Sequence, residues 1–278
     1  MTALTFSALV ALGAFAAGLV GALTGLGGGV ILIPLLTLAF GVNLRYAIGA
    51  SLISVIATSS GAAAAYVREG YTNIRVGIFL ELATTCGAVA GALLASHVST
   101  GAIAVVFGIV LLYSAYRSSF PEPETLTIGP ADPWATRLHL DASYPTPDGP
   151  RPYRVQHVPL GVSIMAVAGV LSGLLGIGSG AVKVLALDRA MRLPFKVSTT
   201  TSNFMIGVTA AASAGVYLRR GYVDPALACP VMLGVLAGAL LGARLLRDAQ
   251  VGVLRKLFAV VIAALAIEML IQGVTGSI

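Results

Sequence analysis

Charge is what this chain has least of. Asp, Glu, Lys and Arg together make up only 10% of its 278 residues, against about 25% in a soluble domain. With 57% hydrophobic residues and a mean hydropathy of +0.93, a water-facing surface is excluded and a lipid bilayer is the expected surrounding. Cysteine is nearly absent as well. Cys86 and Cys229 each fall inside an apolar stretch, which excludes a disulfide framework or a cysteine metal site and reads as two buried thiols. The three histidines, His97, His139 and His157, sit in connecting segments with no partner at ligand spacing. No nucleophile–base pair can be assembled, so the chain reads as no enzyme, with no cofactor and no metal. The net charge of +6 would suggest a nucleic-acid partner in a soluble protein. In a membrane protein, Lys and Arg instead set the orientation of the loops, so no nucleic acid is expected.

What the chain does have is apolar length. Leu4–Val20, Ile48–Val67, Ile74–Leu94, Ile103–Tyr113, Leu160–Leu175, Phe204–Leu218, Ala226–Leu246 and Val251–Ile271 approach the ~20 apolar residues that cross a bilayer. The first lacks the basic start of a signal peptide and reads as a helix of the mature protein. Shifting the sequence by 151 positions lays one half on the other without a gap. Gly18, Gly25, Gly27 and Gly29 then fall on Gly169, Gly176, Gly178 and Gly180, Ser51 on Ser202, and Arg45 on Lys196. Tyr66, Arg68, Gly70 and Tyr71 fall on Tyr217, Arg219, Gly221 and Tyr222. A shared Y-x-R-x-G-Y at one offset marks an internal duplication.

Residues 1–117 are therefore read as a first membrane repeat and 158–278 as a second. Residues 118–157 hold eight of the thirteen prolines and read as an extramembrane loop. In that loop Thr136–Tyr144 and Tyr153–Val158 flank the turn signal TPDGP and are expected to pair as a short hairpin. Each repeat contains a long apolar segment, a glycine break, a short apolar piece (Val30–Phe40, Ala181–Met191) and three more spans.

The basic residues indicate how the halves are oriented. If the glycine breaks are mere kinks, the loop Lys and Arg residues divide eight against eight. If the chain reverses direction there, Arg45, Arg219 and Arg220 lie on one face and the other thirteen lie opposite, with Lys183 left out as part of a short piece. Cytoplasmic loops are enriched in Lys and Arg, so reversal is favoured. The expected fold is an all-α integral membrane protein of two inverted-topology repeats, each of about five helical segments, with glycine-broken or re-entrant helices. Both termini are then periplasmic and residues 118–157 cytoplasmic. Whether the short pieces cross fully or are re-entrant is left open, as is a homodimer.

Inverted repeats with broken helices build secondary transporters, and non-helical backbone at membrane depth survives only when buried or lining a wet cavity. Gly25-Leu-Gly27-Gly28-Gly29 and Gly176-Ile-Gly178-Ser179-Gly180 each precede a short helix, whose N-terminal N–H groups attract anions. Tight helix packing is the plainer account of the same glycines. Lys183 matches Leu32 of the first half, and an ammonium inside a span marks a site unless it snorkels out. The segment Thr200–Asn203 matches Gly49–Leu52, so Thr201, Ser202, Asn203 and Ser51 can donate to an anion or bridge helices. Gly87-x-x-x-Gly91, Gly234-x-x-x-Gly238 and Gly238-x-x-x-Gly242 read as close-packing faces. Glu81 and Glu268 lie apart from any partner in the sequence. A proton relay is one reading of such acids, but Glu81 matches Met232 and reads as a helix-end residue, so the expected site is positive and acid-free.

The stretch GLGGGVILIPLL, the GASL segment, and the second-half GIGSGAVKV with STTTSNF resemble the TauE/SafE sulfite-exporter family, the 4-toluenesulfonate uptake permeases. The resemblance covers nearly the whole chain. It implies transport of small sulfur-containing anions, such as sulfite, sulfoacetate and related organosulfonates, across the bacterial inner membrane. Gly27, Gly28, Gly29, Gly178, Ser179, Gly180, Ser51 and Ser202 stand at its motif positions. A carrier of another small carboxylate or anion, and a membrane protein that transports nothing, are the other readings.

The three-against-thirteen division makes a direct prediction. A reporter fused at Asp148 is expected to read cytoplasmic and one fused after Ile278 periplasmic. Reports from one and the same compartment would rule out the inverted arrangement.

Overall fold

The structure, a computed structural model, describes residues 3–24, 29–119, 132–146, 149–245 and 251–276. The repeat seen in the residues recurs in the elements. Helix α1 (Ala3–Thr24) corresponds to α7 (Val158–Leu175), and α2 (Gly29–Pro34) to α8 (Gly180–Leu185). Each of the two short helices runs on into a wide π-type turn, Leu35–Ala39 and Ala186–Ala190. Helices α3 (Leu44–Arg68), α4 (Ile74–Leu94) and α5 (Thr100–Ser119) correspond to α9 (Phe195–Arg219), α10 (Pro225–Leu245) and α11 (Val251–Thr275). From α2 to α4 every boundary returns 151 residues later. Ile74–Leu94, Val158–Leu175 and Pro225–Gly242 are each long and apolar enough to cross a membrane. Their outward faces carry exposed Ile78, Leu82, Leu160, Val167, Leu233 and Leu240, as a lipid-facing surface requires.

Glycines set the packing. A Cβ at Gly234 or Gly238 of α10 would run into the carbonyls of Ala11 or Phe15 on α1, and one at Gly18 into the backbone of Val235. The same contacts recur 151 residues away. Gly87 and Gly91 of α4 face the carbonyls of Ala166 and Val170 on α7, while Gly169 and Gly173 face those of Thr84 and Ala88. Residue numbers rise together along both pairs, so α1 runs parallel to α10 and α7 parallel to α4. Removing the side chain lets backbones approach where no hydrophobic effect drives helices together.

The remaining major pairs run antiparallel. The start of α3 meets the end of α9, where Arg45, Tyr46 and Gly49 touch Tyr222. The start of α9 meets the end of α3, where Lys196 approaches Tyr71 and the Thr201 hydroxyl accepts from the Asn73 N–H at 3.0 Å. On α5 and α11, Gly101 opposes Gly273 and Gly108 opposes Ala266.

The chain doubles back at both breaks. Phe6, near the start of α1, meets Phe40, just past the first π turn, edge-on at 6.1 Å. In the second half His157 Nδ1 lies 3.1 Å from the Ala190 carbonyl, and the Gln156 N–H donates to Met191 O at 3.0 Å. Each short segment thus returns to the level at which the preceding helix began.

The connecting segment is compact. Asp132 caps α6 (Pro133–Arg137) by accepting from the Trp134 N–H at 2.8 Å, with proline at the first helical position. This turn claims Thr136, so the hairpin closes further along than the expected Thr136–Tyr144 and Tyr153–Val158. Strand β1 (Ala142–Thr146) pairs antiparallel with β2 (Gly149–Tyr153), Ala142 opposite Tyr153 and Thr146 opposite Gly149. Asn73 Nδ2 donates to Leu140 O at 2.9 Å and to the Tyr153 hydroxyl at 2.8 Å. Leu140, Tyr144, Tyr153 and Val155 join Val76, Leu187 and Met191 in one apolar cluster. Burial pushes the Tyr153 phenol up to about 12, against the opposing hydrogen bond from Asn73, so it stays neutral.

One expectation is corrected. Cys86 and Cys229 are exposed, because an apolar span has a face that meets lipid as well as a face that meets protein.

The backbone contacts predict an asymmetry between two glycines. Gly91→Ala forces a methyl against the Val170 carbonyl and is expected to destabilise by about 1–3 kcal/mol. Gly215→Ala on α9 meets open space and is expected to be neutral or slightly stabilising, since alanine favours helix. Thermal unfolding of both variants in detergent checks this. Equal behaviour would mean that the glycine faces do not hold the helices together.

Candidate functional site

Gly25 to Gly28 of the first break, including Gly27 and Gly28, lie outside the described residues. Gly29, the first residue of α2, is buried against the second break. A Cβ there would lie 2.9 Å from Ser51 Oγ and 3.7 Å from Gly176 O. Ser51 is wholly buried and donates to that same Gly176 carbonyl at 3.0 Å. One hydroxyl on α3 therefore joins the short helix of its own half to the break of the other.

The second break is described throughout. Gly176 and Gly178 both adopt φ +70 and Ser179 φ +47, a left-handed run that turns α7 back into α8. Around it the side chains crowd. A Cβ on Gly178 would sit 2.7 Å from Ile206 Cγ2, and one on Gly180 2.8 Å from Ile206 Cδ1. Gly180 itself is helical, so its requirement is space alone. The Ser179 hydroxyl is buried with no partner among the described residues, as is that of Ser172 one turn before the break. Ser202 donates to Gly180 O at 3.4 Å. Thr201 is turned away, its hydroxyl held by the Asn73 N–H at the end of α3. Asn203 is half-buried on a third side of α9. Of the hydroxyl and amide residues proposed from sequence, Ser51, Ser179 and Ser202 converge on the breaks, and Thr201 instead bridges helices.

Lys183 lies one turn into α8 and is 0% exposed, so it does not snorkel. Its Nζ donates to Thr209 Oγ1 at 2.5 Å, and Thr209 donates onward to Glu81 Oε1 at 2.6 Å. Glu81 Oε2 lies 3.9 Å from the ammonium. Thr84 and Thr85 add hydroxyl bonds to the same carboxylate at 3.2 and 3.0 Å. The expectation of an acid-free site is therefore wrong. Glu81 is no helix-end residue either; it sits a full two turns inside α4, 8% exposed. Sequence reasoning missed it because α4 and α8 are about a hundred residues apart. The available signal was a joint absence: the positions equivalent to Lys183 and Glu81 are Leu32 and Met232, so of two pseudo-equivalent places one holds both ions, one from each repeat, and the other holds neither.

Two further pairs repeat at the ends of the bundle. Arg45 lies 5.5 Å over the Tyr222 ring, and Lys196 5.5 Å over the Tyr71 ring. Arg45 also donates to the Tyr222 hydroxyl at 3.1 Å and to Val98 O at 3.3 Å. With Tyr217 and Arg220, Arg45 and Tyr222 line a small cleft. No group of metal-binding side chains occurs among the described residues.

Residues 10–269 match the family model described as Sulfite exporter TauE/SafE, and the chain belongs to that family. The chain is 27% identical over 279 residues to the probable membrane transporter protein YunE of Bacillus subtilis (strain 168), covering 98% of this chain and 99% of the relative. It is 28% identical to the probable membrane transporter protein YdhB of the same organism, over 85% of this chain and 89% of the relative. It is 24% identical to the probable membrane transporter protein ORF9 of Sinorhizobium sp, over 92% and 89%. No solved structure matches the chain.

The buried pair carries its own prediction. Lys183→Met leaves the Glu81 carboxylate without a counter-charge and is expected to cost about 3–5 kcal/mol. Adding Glu81→Gln to the same chain should restore most of that. Thermal unfolding of the two single variants and the double gives the coupling. Strictly additive losses would mean that the two side chains do not interact.

Proposed function

We propose that this chain is a secondary transporter that moves a small anion, a sulfur-containing oxyanion or organosulfonate such as sulfite or sulfoacetate, across the bacterial inner membrane. The observation that carries the reading is Lys183, an ammonium with no solvent exposure one turn beyond a buried backbone reversal. A charge so placed is costly and serves a pathway or a ligand. Around it stand the groups that an oxyanion needs. These are the Ser179 hydroxyl, without a partner among the described residues, and Ser51 and Ser202, which now donate to the Gly176 and Gly180 carbonyls at the second break.

The halves are inverted repeats in this reading. Exchange of the two halves carries the antiparallel pairs α3–α9 and α5–α11 onto themselves and converts α1–α10 into α7–α4. A two-fold axis that does this runs across the helices, in the plane of the membrane, and the thirteen-to-three division of basic residues agrees. The termini are then periplasmic and the hairpin cytoplasmic. Alternating access follows from the same symmetry. The Arg45–Tyr222 and Lys196–Tyr71 contacts close opposite ends, and opening one while the other holds would expose the breaks to one side at a time. Arg45 and Arg220 make the periplasmic cleft positive, which draws anions toward it.

Binding and flux test this together. Sulfite or sulfoacetate should raise the unfolding temperature of the purified protein. The double variant Lys183→Met/Glu81→Gln, which leaves no unpaired charge, should bind at least about tenfold more weakly, since charge-assisted hydrogen bonds contribute roughly 1.5–3 kcal/mol. Gly178→Ala should abolish proteoliposome flux while the protein still inserts, because a Cβ at φ +70 beside Ile206 re-aims the turn. Unchanged affinity in the double variant would remove Lys183 as a ligand, and normal flux in Gly178→Ala would put the site elsewhere.

A further inference from the structure

Lys183 cannot balance two anionic groups at once, and Glu81 already occupies it. We propose that Glu81 is a proton-coupling site, so that each substrate anion crosses together with one proton. The inference rests on the anion-transport reading above and deepens it by naming the coupling ion. Its basis is geometric. The ammonium, the Thr209 hydroxyl and the Glu81 carboxylate form one continuous chain of 2.5 and 2.6 Å contacts, with Glu81 Oε2 3.9 Å from Nζ. An anion arriving at Lys183 from the break side displaces the carboxylate electrostatically. A carboxylate left buried without a counter-charge is held only by hydroxyls, and protonation relieves its cost.

Among the described residues of the elements packed against the pair, no other charge competes for this role. Helix α7, packed against both α4 and α8, has no ionisable side chain. On α9 the ionisable residues Lys196, Tyr217 and Arg219 lie toward its two ends, and Thr209 faces the pair. On the π turn after α8, Asp188 and Arg189 lie 3.6 Å from each other. On α4 itself Arg75 reaches out to His139 O, and Cys86 is exposed. The repeat supplies a second argument. Leu32, Met232 and Thr58 replace Lys183, Glu81 and Thr209, and Thr58 merely bonds back to Ser54 O and Val55 O of its own helix. Of the two pseudo-equivalent places, one holds both acid and base, one from each repeat, and the other holds neither.

The step balances simply. In the empty site Lys183 is positive and Glu81 negative. On loading, a hydronium ion from water reaching the site gives its proton to Glu81 Oε2, an O–H bond forms, and one anionic group of the substrate takes the place of the carboxylate at Nζ. On release the O–H bond breaks, the proton returns to water, and Glu81 resumes its contact with Lys183. No electrons are exchanged.

The test uses the whole protein in liposomes, with sulfoacetate as the probe and the voltage clamped at zero. An inward-acid gradient of about one pH unit should drive about tenfold accumulation in the wild type, the limit for one proton per anion. A trapped pH dye should report proton entry with it. Glu81→Gln should still exchange sulfoacetate but neither accumulate it nor carry protons, and its affinity should no longer weaken as pH rises. Glu81→Asp should keep the coupling. Wild-type flux indifferent to the gradient, or gradient-driven accumulation by Glu81→Gln, would overturn the proposal. Should Glu81→Gln not fold, the wild-type gradient measurement decides alone. Absence of any sulfoacetate or sulfite flux in the wild type would instead overturn the transport reading, which is thereby distinguished.

Discussion

Backbone that turns over among buried helices must find its hydrogen-bond partners within the protein, and the second break is such a turn. Lipid and apolar side chains offer no partner there, and each unsatisfied N–H or C=O costs several kcal/mol. The second turn meets this demand with help from the first half: Ser51 reaches across from α3 to the Gly176 carbonyl. Ser202 serves Gly180 from α9. Each hydroxyl comes from the long helix that follows a break, so α3 and α9 must cross where the breaks lie. That crossing in turn requires α1 and α7 to be held close to α10 and α4, which the glycine faces achieve by bringing backbone onto backbone. The packing glycines and the break glycines thus have different tasks. The former remove a side chain, and Gly176 and Gly178 adopt a conformation that other residues resist.

Symmetry builds the scaffold and asymmetry builds the chemistry. A strictly two-fold site would present two lysines and two carboxylates near the centre, a cluster whose desolvation cost would outrun its attraction. Here the two repeats contribute one ion each to a single pair, and the pseudo-equivalent place is filled by wholly buried Leu32 and by Met232. The carboxylate is then surrounded by three threonine hydroxyls and one ammonium. Such a pair contributes little to stability against an apolar alternative. Its retention in the interior points to a task other than holding the fold.

Much of this was legible in the residues. The 151-residue offset marks element boundaries that recur from α2 to α4, because duplicated sequence with the same glycine and loop positions starts and stops helices at the same places. The loop charges indicated a reversal at the breaks, and the Phe6–Phe40 and His157–Ala190 contacts show that the chain does turn back. What sequence could not supply was anything that depends on which helix faces which. Glu81 looked solitary because its partner comes from α8, about a hundred residues away, and hydropathy treats a lone acid as a helix-end residue. Thr201 looked like a ligand because Ser202 beside it points to the break; one residue along a helix is about 100° around it, and that rotation sends Thr201 to Asn73 instead. The cysteines failed for a related reason, since hydropathy cannot separate a lipid-facing side from a protein-facing one.

The connecting segment breaks the symmetry at one end of the molecule only. Its hairpin is tied to the α3–α4 loop through Asn73 and to the end of the second π turn through Gln156 and His157. The apolar cluster it forms runs inward through Leu187 and Ala186 to Leu80 and Met205. Leu80 adjoins Glu81 in α4, and Met205 lies one turn before Thr209 in α9, with the Thr209 hydroxyl also reaching the Met205 carbonyl at 3.0 Å. The hairpin therefore rests on the layer directly beneath the ion pair, at the end where Lys196 lies over Tyr71. At the opposite end, Arg45 and Tyr222 line a small cleft with Tyr217 and Arg220. Two pseudo-equivalent contacts are thus differently loaded: separating Lys196 from Tyr71 means disturbing the seat of the hairpin, whereas separating Arg45 from Tyr222 breaks a few local bonds. A duplicated scaffold acquires two inequivalent faces in this way, and the difference between them comes from the forty residues that have no counterpart in the repeat.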